Sequence, residues 1–224
     1  MKLNEETRCA CYSWGAPPVY YTLKDFNGAP RKCELILEFL KSERIILRSL
    51  LMKDARDIFS YRSDSEINQF QTWQPNTIAE VEEFIETRIV GEPNRPDTWL
   101  QLAICKKNPD QLIGDCGLHF LKNESSQVEI GITLKREHQG LGYATEALEL
   151  VFKYVFDGLK KHRIFASVDP NNIASIRLLE RMKMRKEAHF IESIWLKDRW
   201  LDDIVYAIVA REWETINHQG EGAA

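Results

Sequence analysis

At 224 residues, with 44% apolar and 29% charged residues, the chain has the length and balance of one soluble globular domain with room for an appendage. A net charge of −4 argues against a general nucleic-acid binder, because lysine and arginine contacts to phosphate dominate that kind of affinity. No uninterrupted apolar run approaches the roughly 18–20 residues of a membrane span, and the N-terminus, with Glu5, Glu6 and Arg8, lacks the apolar stretch of a secretory signal. The expectation is a cytoplasmic protein without membrane or nucleic-acid partners. The five cysteines (Cys9, Cys11, Cys33, Cys105, Cys116) are odd in number and scattered. Cys9 and Cys11 have no second Cys or His pair at zinc spacing, so no metal site is expected and the thiols read as reduced.

In chain order, residues 1–42 stand apart. Gly15-Ala16-Pro17-Pro18 and Asn27-Gly28-Ala29-Pro30 are turn signals, set among Tyr12, Trp14, Tyr20, Tyr21 and Phe26. This reads as an N-terminal appendage that packs on the domain or on a partner chain. Glu43 to Arg48 then reads as a first strand, and Lys53–Tyr61 and Ile78–Val90 as two helices. The second helix opens on Asn76-Thr77, with Glu80 three residues after Thr77 as a capping box. Gly91, Pro93 and Pro96 break the chain. Trp99–Cys105 and Leu112–Leu121 read as a hairpin around Asn108-Pro109-Asp110, with Gln127–Leu134 as the next antiparallel strand.

Gln139-Gly140-Leu141-Gly142-Tyr143-Ala144 follows, and then a helical pattern over Ala144–Leu159 with Ala147, Leu148, Val151, Phe152 and Val155 on one face. Glycines between a strand end and a helix start let backbone approach a ligand, and the helix offers unpaired N–H groups and a positive dipole end. That suits a pyrophosphate, although a tight turn alone would also use glycine. Ile164–Val168 is a short strand ending at Asp169-Pro170-Asn171-Asn172, and Ala174–Met182 is a short helix. Ala188–Leu196 and Ile204–Ala210 form a last hairpin around Lys197-Asp198-Arg199-Trp200, and residues 216–224 read as a flexible tail. The order predicts an α+β domain over residues 43–215, with a mixed, mostly antiparallel sheet and helices against it.

This order and its residues resemble the GNAT superfamily of acyl-CoA-dependent N-acyltransferases, in particular its RimJ/RimL-like branch. The family loop Q/R-x-x-G-x-G/A is filled by Gln139 to Ala144. Glu129-Ile130-Gly131, Tyr143-Ala144-Thr145-Glu146-Ala147, Asn172-Ile173-Ala174-Ser175 and Trp200 to Ala207 are similar to further elements of that branch, over about residues 43–213. Lys183-Met184 departs from the Gly-Phe of many relatives. A dinucleotide fold is the rival for the glycine loop, with Asp169 as its ribose acid, but Thr145 stands at the third glycine position and no second βαβ unit follows.

The resemblance implies acetyl-CoA as co-substrate. Its pyrophosphate would lie on the loop formed by Gln139, Gly140, Leu141, Gly142, Tyr143 and Ala144, its pantetheine arm along the backbone of Thr133 and Leu134, and Asn172 would bond that arm. Asn172 would also serve as a plain helix cap. Lys135, Arg136 and Arg177 would meet the adenosine phosphates or form a solvated basic face. The implied reaction is direct attack of a primary amine, from a protein N-terminus or a small molecule, on the thioester. Ser175 would be the acid for the leaving sulfur. Glu129 or Glu192 would be the base, with His189 a further candidate. Trp73, Trp195 and Trp200 are candidates for an acceptor pocket. No cysteine lies beside the loop for a covalent route. A non-catalytic acyl-CoA-binding module is the alternative function, and a homodimer is the partner the family suggests.

Overall fold

The alternating segments pair as strands of one sheet. The computed structural model describes residues 38–88, 94–122, 124 and 126–221. Among them are β1 (Glu38–Lys41), β2 (Ile45–Ser49), β3 (Thr98–Lys106), β4 (Gln111–Phe120), β5 (Gln127–Leu134), β6 (Arg163–Val168), β7 (Arg185–Leu196) and β8 (Arg199–Val209). They lie side by side in the order β1-β2-β3-β4-β5-β6-β8-β7, every neighbouring pair antiparallel except β5 and β6. The helices are α1 (Ala55–Arg62), α2 (Ile78–Arg88), α3 (Tyr143–Lys153), α4 (Ile173–Arg181) and α5 (Ala210–Glu221). This is the α+β architecture that the segment order predicts.

Strand alternation sends successive side chains to opposite faces and so builds two cores. On one face Leu102, Ile104, Leu118 and Ile130 pack with Leu148, Val151 and Phe152 of α3. Trp213 of α5 closes that core edge-on to Phe152, with ring centroids 5.7 Å apart. On the other face Ala103 and Cys105 pack with Ile58 and Tyr61 of α1 and Val81 and Ile85 of α2. Beneath α1 the buried Asp115 of β4 accepts hydrogen bonds from Arg62, Tyr61 and Gln101. Arg62 therefore ties α1 to the sheet through charge-assisted bonds in a dry setting, where losing one partner is costly. Burial pushes the Cys105 thiol up to about 11 and the Cys116 thiol higher still, so both stay protonated.

The start of α2 is capped as its sequence predicts. The Glu80 N–H donates to Thr77 Oγ1 at 3.2 Å, and the Glu80 carboxylate accepts the Asn76 N–H at 3.0 Å. Several boundaries differ from the sequence reading. Residues 38–41, assigned there to the appendage, form β1 and pair with β2. Residues 216–221, read as tail, belong to α5. The last hairpin turns on Lys197 and Asp198 alone, both left-handed (φ 51° and 59°), so Arg199 and Trp200 are strand residues. A two-residue turn of this hand matches the twist of the paired strands. The helix after the glycines widens into a π turn at Tyr154–Gly158. Residues 1–37, with Cys9, Cys11 and Cys33, and the expected end of α2 at Val90 with Gly91 and Pro93, lie outside the described residues.

What positions the site is the one parallel pairing. β5 and β6 are joined only at Gln127–Glu129 against Arg163–Phe165. Beyond Glu129 the strands part, and the sheet is split from there to the end of β5.

Candidate active site

The glycine loop leaves the C-terminal end of β5, on one side of this split. Gly140 (φ 72°) and Gly142 (φ 85°) both take the left-handed conformation that glycine alone adopts without strain. Gly142 caps α3, so the first N–H groups of that helix have no partner within it. The Gln139 side-chain amide donates to the Leu134 carbonyl at 3.0 Å and fixes the loop to the strand. From the start of β2, Arg44 grips the loop's outer side. It donates from Nη1 to the Leu141 carbonyl (3.1 Å) and from Nε to Glu146 Oε2 (2.7 Å), and its guanidinium lies 4.6 Å from the Tyr143 ring centre. Burial would raise the Glu146 carboxyl, but the Ser42 hydroxyl and the Arg44 guanidinium and N–H outweigh it and hold Glu146 below the usual carboxylate range.

Arg44 and Arg181 line the hollow beside Gly140 and Gly142. Two of the three basic residues expected there are engaged elsewhere. Lys135 is buried against Asp57 at 2.6 Å, and Arg136 pairs with Glu66 and Asp64. Arg177 is exposed on α4.

The split itself holds a cavity of about 250 Å³ lined by residues from both faces of the sheet. On the α3 face its walls are Ile132, Leu148, Leu178 and Leu179, with Asn172 and Ser175 at the start of α4. Asn172 caps α4 by accepting the Ser175 N–H at 3.1 Å, so its capping role is satisfied while it still lines the cavity. On the opposite face the walls are Trp99, Glu129 and Gly131 of the sheet, Phe70 to Thr72 before α2, and Ile194 and Leu201 of the last hairpin.

Backbone direction along the open edge follows from one bond. The Lys135 N–H donates to the Ile113 carbonyl, and Gly114 faces Leu134 in register. Antiparallel alternation then turns the backbone of Thr133 toward β4 and leaves that of Ile130, Ile132 and Leu134 facing the split. The expected edge therefore shifts from Thr133 to Ile132. The backbone of Leu134 also faces the split, with its carbonyl taken by Gln139.

Glu129 ends the paired part of β5, at the narrow end of the split. Register places Trp99, His119 and Glu129 directly opposite one another on β3, β4 and β5. His119 stacks flat on Trp99, 4.6 Å between ring centres, and its Nδ1 lies 3.3 Å from Glu129 Oε2. Glu129 is thus held by an imidazole and does not point freely to solvent. The His119 contact is invisible in sequence because it depends on how the β3–β4 and β4–β5 connections set the register. Asp202 and Asp203, also missed, line the cavity, Asp203 accepting the Ser167 hydroxyl at 2.5 Å. Their only signal is an Asp-Asp pair inside a strand-like segment.

Glu192 does not join this group. It is exposed, at a left-handed bulge position (φ 47°) of β7, with its N–H on Asp202 Oδ1 at 2.9 Å. His189 is likewise engaged with Asp202, at 2.8 Å. That N–H first, and then the imidazole, hold Asp202 below its ordinary pKa. Trp73 is packed against Phe84 at 4.3 Å, and Trp195 and Trp200 form an exposed edge-on pair at 5.3 Å. The tryptophan on the cavity is Trp99. Among the described residues no cluster of three or more His, Cys, Asp or Glu is placed to hold a metal ion, and no helix is long and apolar enough to cross a membrane.

The site thus offers a glycine loop with unpaired helix N–H groups, a cavity lined from both faces of the sheet, a carboxylate backed by an imidazole at its narrow end, and a serine on the opposite wall. Residues 44–185 match a family model described as an acetyltransferase (GNAT) domain. The chain is 31% identical over 182 residues to the uncharacterized N-acetyltransferase p20 of Bacillus licheniformis, the match covering 79% of this chain and 99% of that protein. The crystal structure of a GNAT-family acetyltransferase from Bacillus anthracis superposes with a TM-score of 0.70 at 27% identity, covering 77% of this chain and 98% of that one. Spermidine N-acetyltransferase from Vibrio cholerae, solved in complex with CoA and spermine, shares the fold with a TM-score of 0.67 at 22% identity, over 77% of this chain and 99% of that one.

Proposed function

Because this chain belongs to the GNAT acetyltransferase family, and is an N-acetyltransferase with acetyl-CoA as co-substrate, we propose that it passes the acetyl group directly to a cationic primary amine in a ternary complex. The observation that carries this reading is the channel where β5 leaves β6, with the glycine loop and Ser175 toward one face and Glu129 toward the other. The pyrophosphate of acetyl-CoA sits on the N–H groups from Leu141 to Ala144. Its arm runs along the open edge of Ile130 and Ile132, past Asn172, and brings the thioester into the channel.

The acceptor arrives from the opposite face as an ammonium ion. Glu129, oriented by His119, takes its proton directly or through a water, and the free amine attacks the thioester carbonyl. The C–N bond forms, the tetrahedral intermediate collapses with loss of the C–S bond, and Ser175 supplies a proton to the departing thiolate. Charge supports a cationic acceptor. Glu129, Asp169, Asp202 and Asp203 line the channel, and no lysine or arginine does among the described residues. A small polyamine and a protein N-terminus both meet that description.

The test is isothermal titration with acetyl-CoA, with NADH as control, followed by thiol release over polyamines, simple amines and N-terminal peptides. Micromolar acetyl-CoA binding, thiol release with at least one amine, and a kcat lowered about 100-fold by Glu129→Gln are expected. A folded protein that binds no acetyl-CoA overturns the reading, and one that binds it but releases no thiol returns it to a binding module.

A further inference from the structure

Gly131 occupies the middle of β5, where glycine weakens a strand and most often marks a close approach by something else. Neither the backbone nor the packing of this chain requires it. Its φ lies outside the left-handed region, and a Cβ built on it meets no atom within 4 Å. Its partner across the sheet, Gly117, is the opposite case. A Cβ there would stand 2.8 Å from Gln101 Oε1 and 3.2 Å from the Trp99 ring, so the chain's own side chains fill that hollow. The hollow over Gly131 is left open and faces the channel. It is flanked on the same strand face by Glu129 on one side and Thr133 on the other. Of these two, Glu129 lines the channel, and Thr133 is buried away from it.

We infer that the hollow over Gly131 seats the part of the acceptor that carries its amine, and that Gly131 is a specificity-determining residue limiting how bulky that part is. This rests on the proposed entry of the acceptor from the Glu129 face. Glu129 and Gly131 then act side by side on one strand face. The carboxylate takes the amine's proton, and the bare backbone lets the chain lie against the sheet. Trp99 forms the flat side wall.

Gly131→Ala and Gly131→Val test this, valine being well suited to a strand. Three measurements are needed: thermal unfolding, acetyl-CoA affinity by titration, and kcat/KM for primary amines of rising bulk, from methylamine through propylamine and spermidine to a peptide amine. Both variants are expected to fold and to bind acetyl-CoA within about twofold of wild type. A carbon placed in a substrate pocket changes discrimination by about 10- to 200-fold, so kcat/KM for the best wild-type acceptor falls about 10-fold with alanine and 100-fold or more with valine. Methylamine is affected least, so the preference moves toward thin amines. A valine variant with wild-type efficiency and rank order across the series overturns the inference. So does one whose acetyl-CoA affinity falls in step with its activity, since the glycine would then serve the coenzyme. A wild-type protein that binds acetyl-CoA but acetylates none of the amines overturns the acceptor reading itself, and this inference with it.

Discussion

Replacing Arg44 with alanine removes the outer grip on the glycine loop without touching any group placed on a substrate. The Arg44 side chain is 46% exposed and that of Glu146 15%, so the ion pair is partly screened and contributes about 0.2–1 kcal/mol. The bond from Nη1 to the Leu141 carbonyl adds about 0.5–1.5 kcal/mol, and the guanidinium over the Tyr143 ring about 0.5–1 kcal/mol. These contacts share one side chain and do not sum fully, which leaves a loss of about 1–2 kcal/mol. All three act on residues 141–146, so the same free energy is withdrawn from the loop proposed to hold the pyrophosphate. Acetyl-CoA affinity is expected to fall about 5- to 30-fold, and Tm by about 2–8 °C for a chain of this size. Arg44→Lys keeps the charge but not the planar fork, and recovers only part of both losses. Titration calorimetry and a thermal melt on the same preparations give the two numbers. A variant that melts lower yet binds acetyl-CoA with wild-type affinity would refute the reasoning, because the grip would then stabilise the fold without shaping the loop.

Other outcomes follow from neighbouring features. Gly142→Trp is expected to abolish acetyl-CoA binding while the protein stays folded, since position 142 needs φ 85° and a Cβ there stands 3.3 Å from Arg44 Nη2; retained affinity in a titration would move the phosphate site elsewhere. Asp115→Ala strands the buried Arg62 and should cost about 3–5 kcal/mol, read by denaturant unfolding, where an unchanged midpoint would contradict the buried network. His119→Ala, by freeing Glu129 to reorient, is expected to lower kcat about 10-fold with little change in acetyl-CoA affinity; steady-state kinetics beside titration decide it. The depressed Glu146 carboxyl is more easily ionised folded than unfolded. Its contribution is therefore complete above the ordinary carboxylate range and disappears as pH falls through its lower folded value. A Tm-versus-pH series should fall more steeply below about pH 4 for wild type than for Glu146→Gln, and parallel curves would deny the linkage.

Local signals carried much of this architecture. Gly140 and Gly142 stand between a strand and an amphipathic helix, the Thr77/Glu80 cap opens α2, and Gln127–Leu134 has the bounds of β5. Each depends on residues only a few positions apart. What escaped the sequence depends on register. His119 reaches Glu129 because two hairpins bring them level, and nothing within either strand announces it. Asp202 entered the channel where Glu192 was expected because β7 bulges between Phe190 and Ile194 and turns that carboxylate outward. Thr133 gave way to Ile132 on the open edge for a similar reason. Which half of a strand's backbone faces a neighbour is fixed by one hydrogen bond, here Lys135 to Ile113, and not by side-chain type. The four residues of β1 are too short a run to stand out from the preceding aromatic stretch, and only their pairing with β2 marks them as a strand.

A passage open at both ends behaves unlike a pocket with one mouth. In a blind pocket the second molecule to enter sits over the first and must leave before it, so the geometry imposes a queue. The cavity between β5 and β6 is lined from both faces of the sheet, and the proposed reactants come to it from opposite sides. Two reactants admitted from opposite sides meet in the middle and depart the way each came, so neither traps the other. Initial-rate patterns for such a molecule should be sequential with no compulsory order, and each product should compete with the reactant that shares its own doorway.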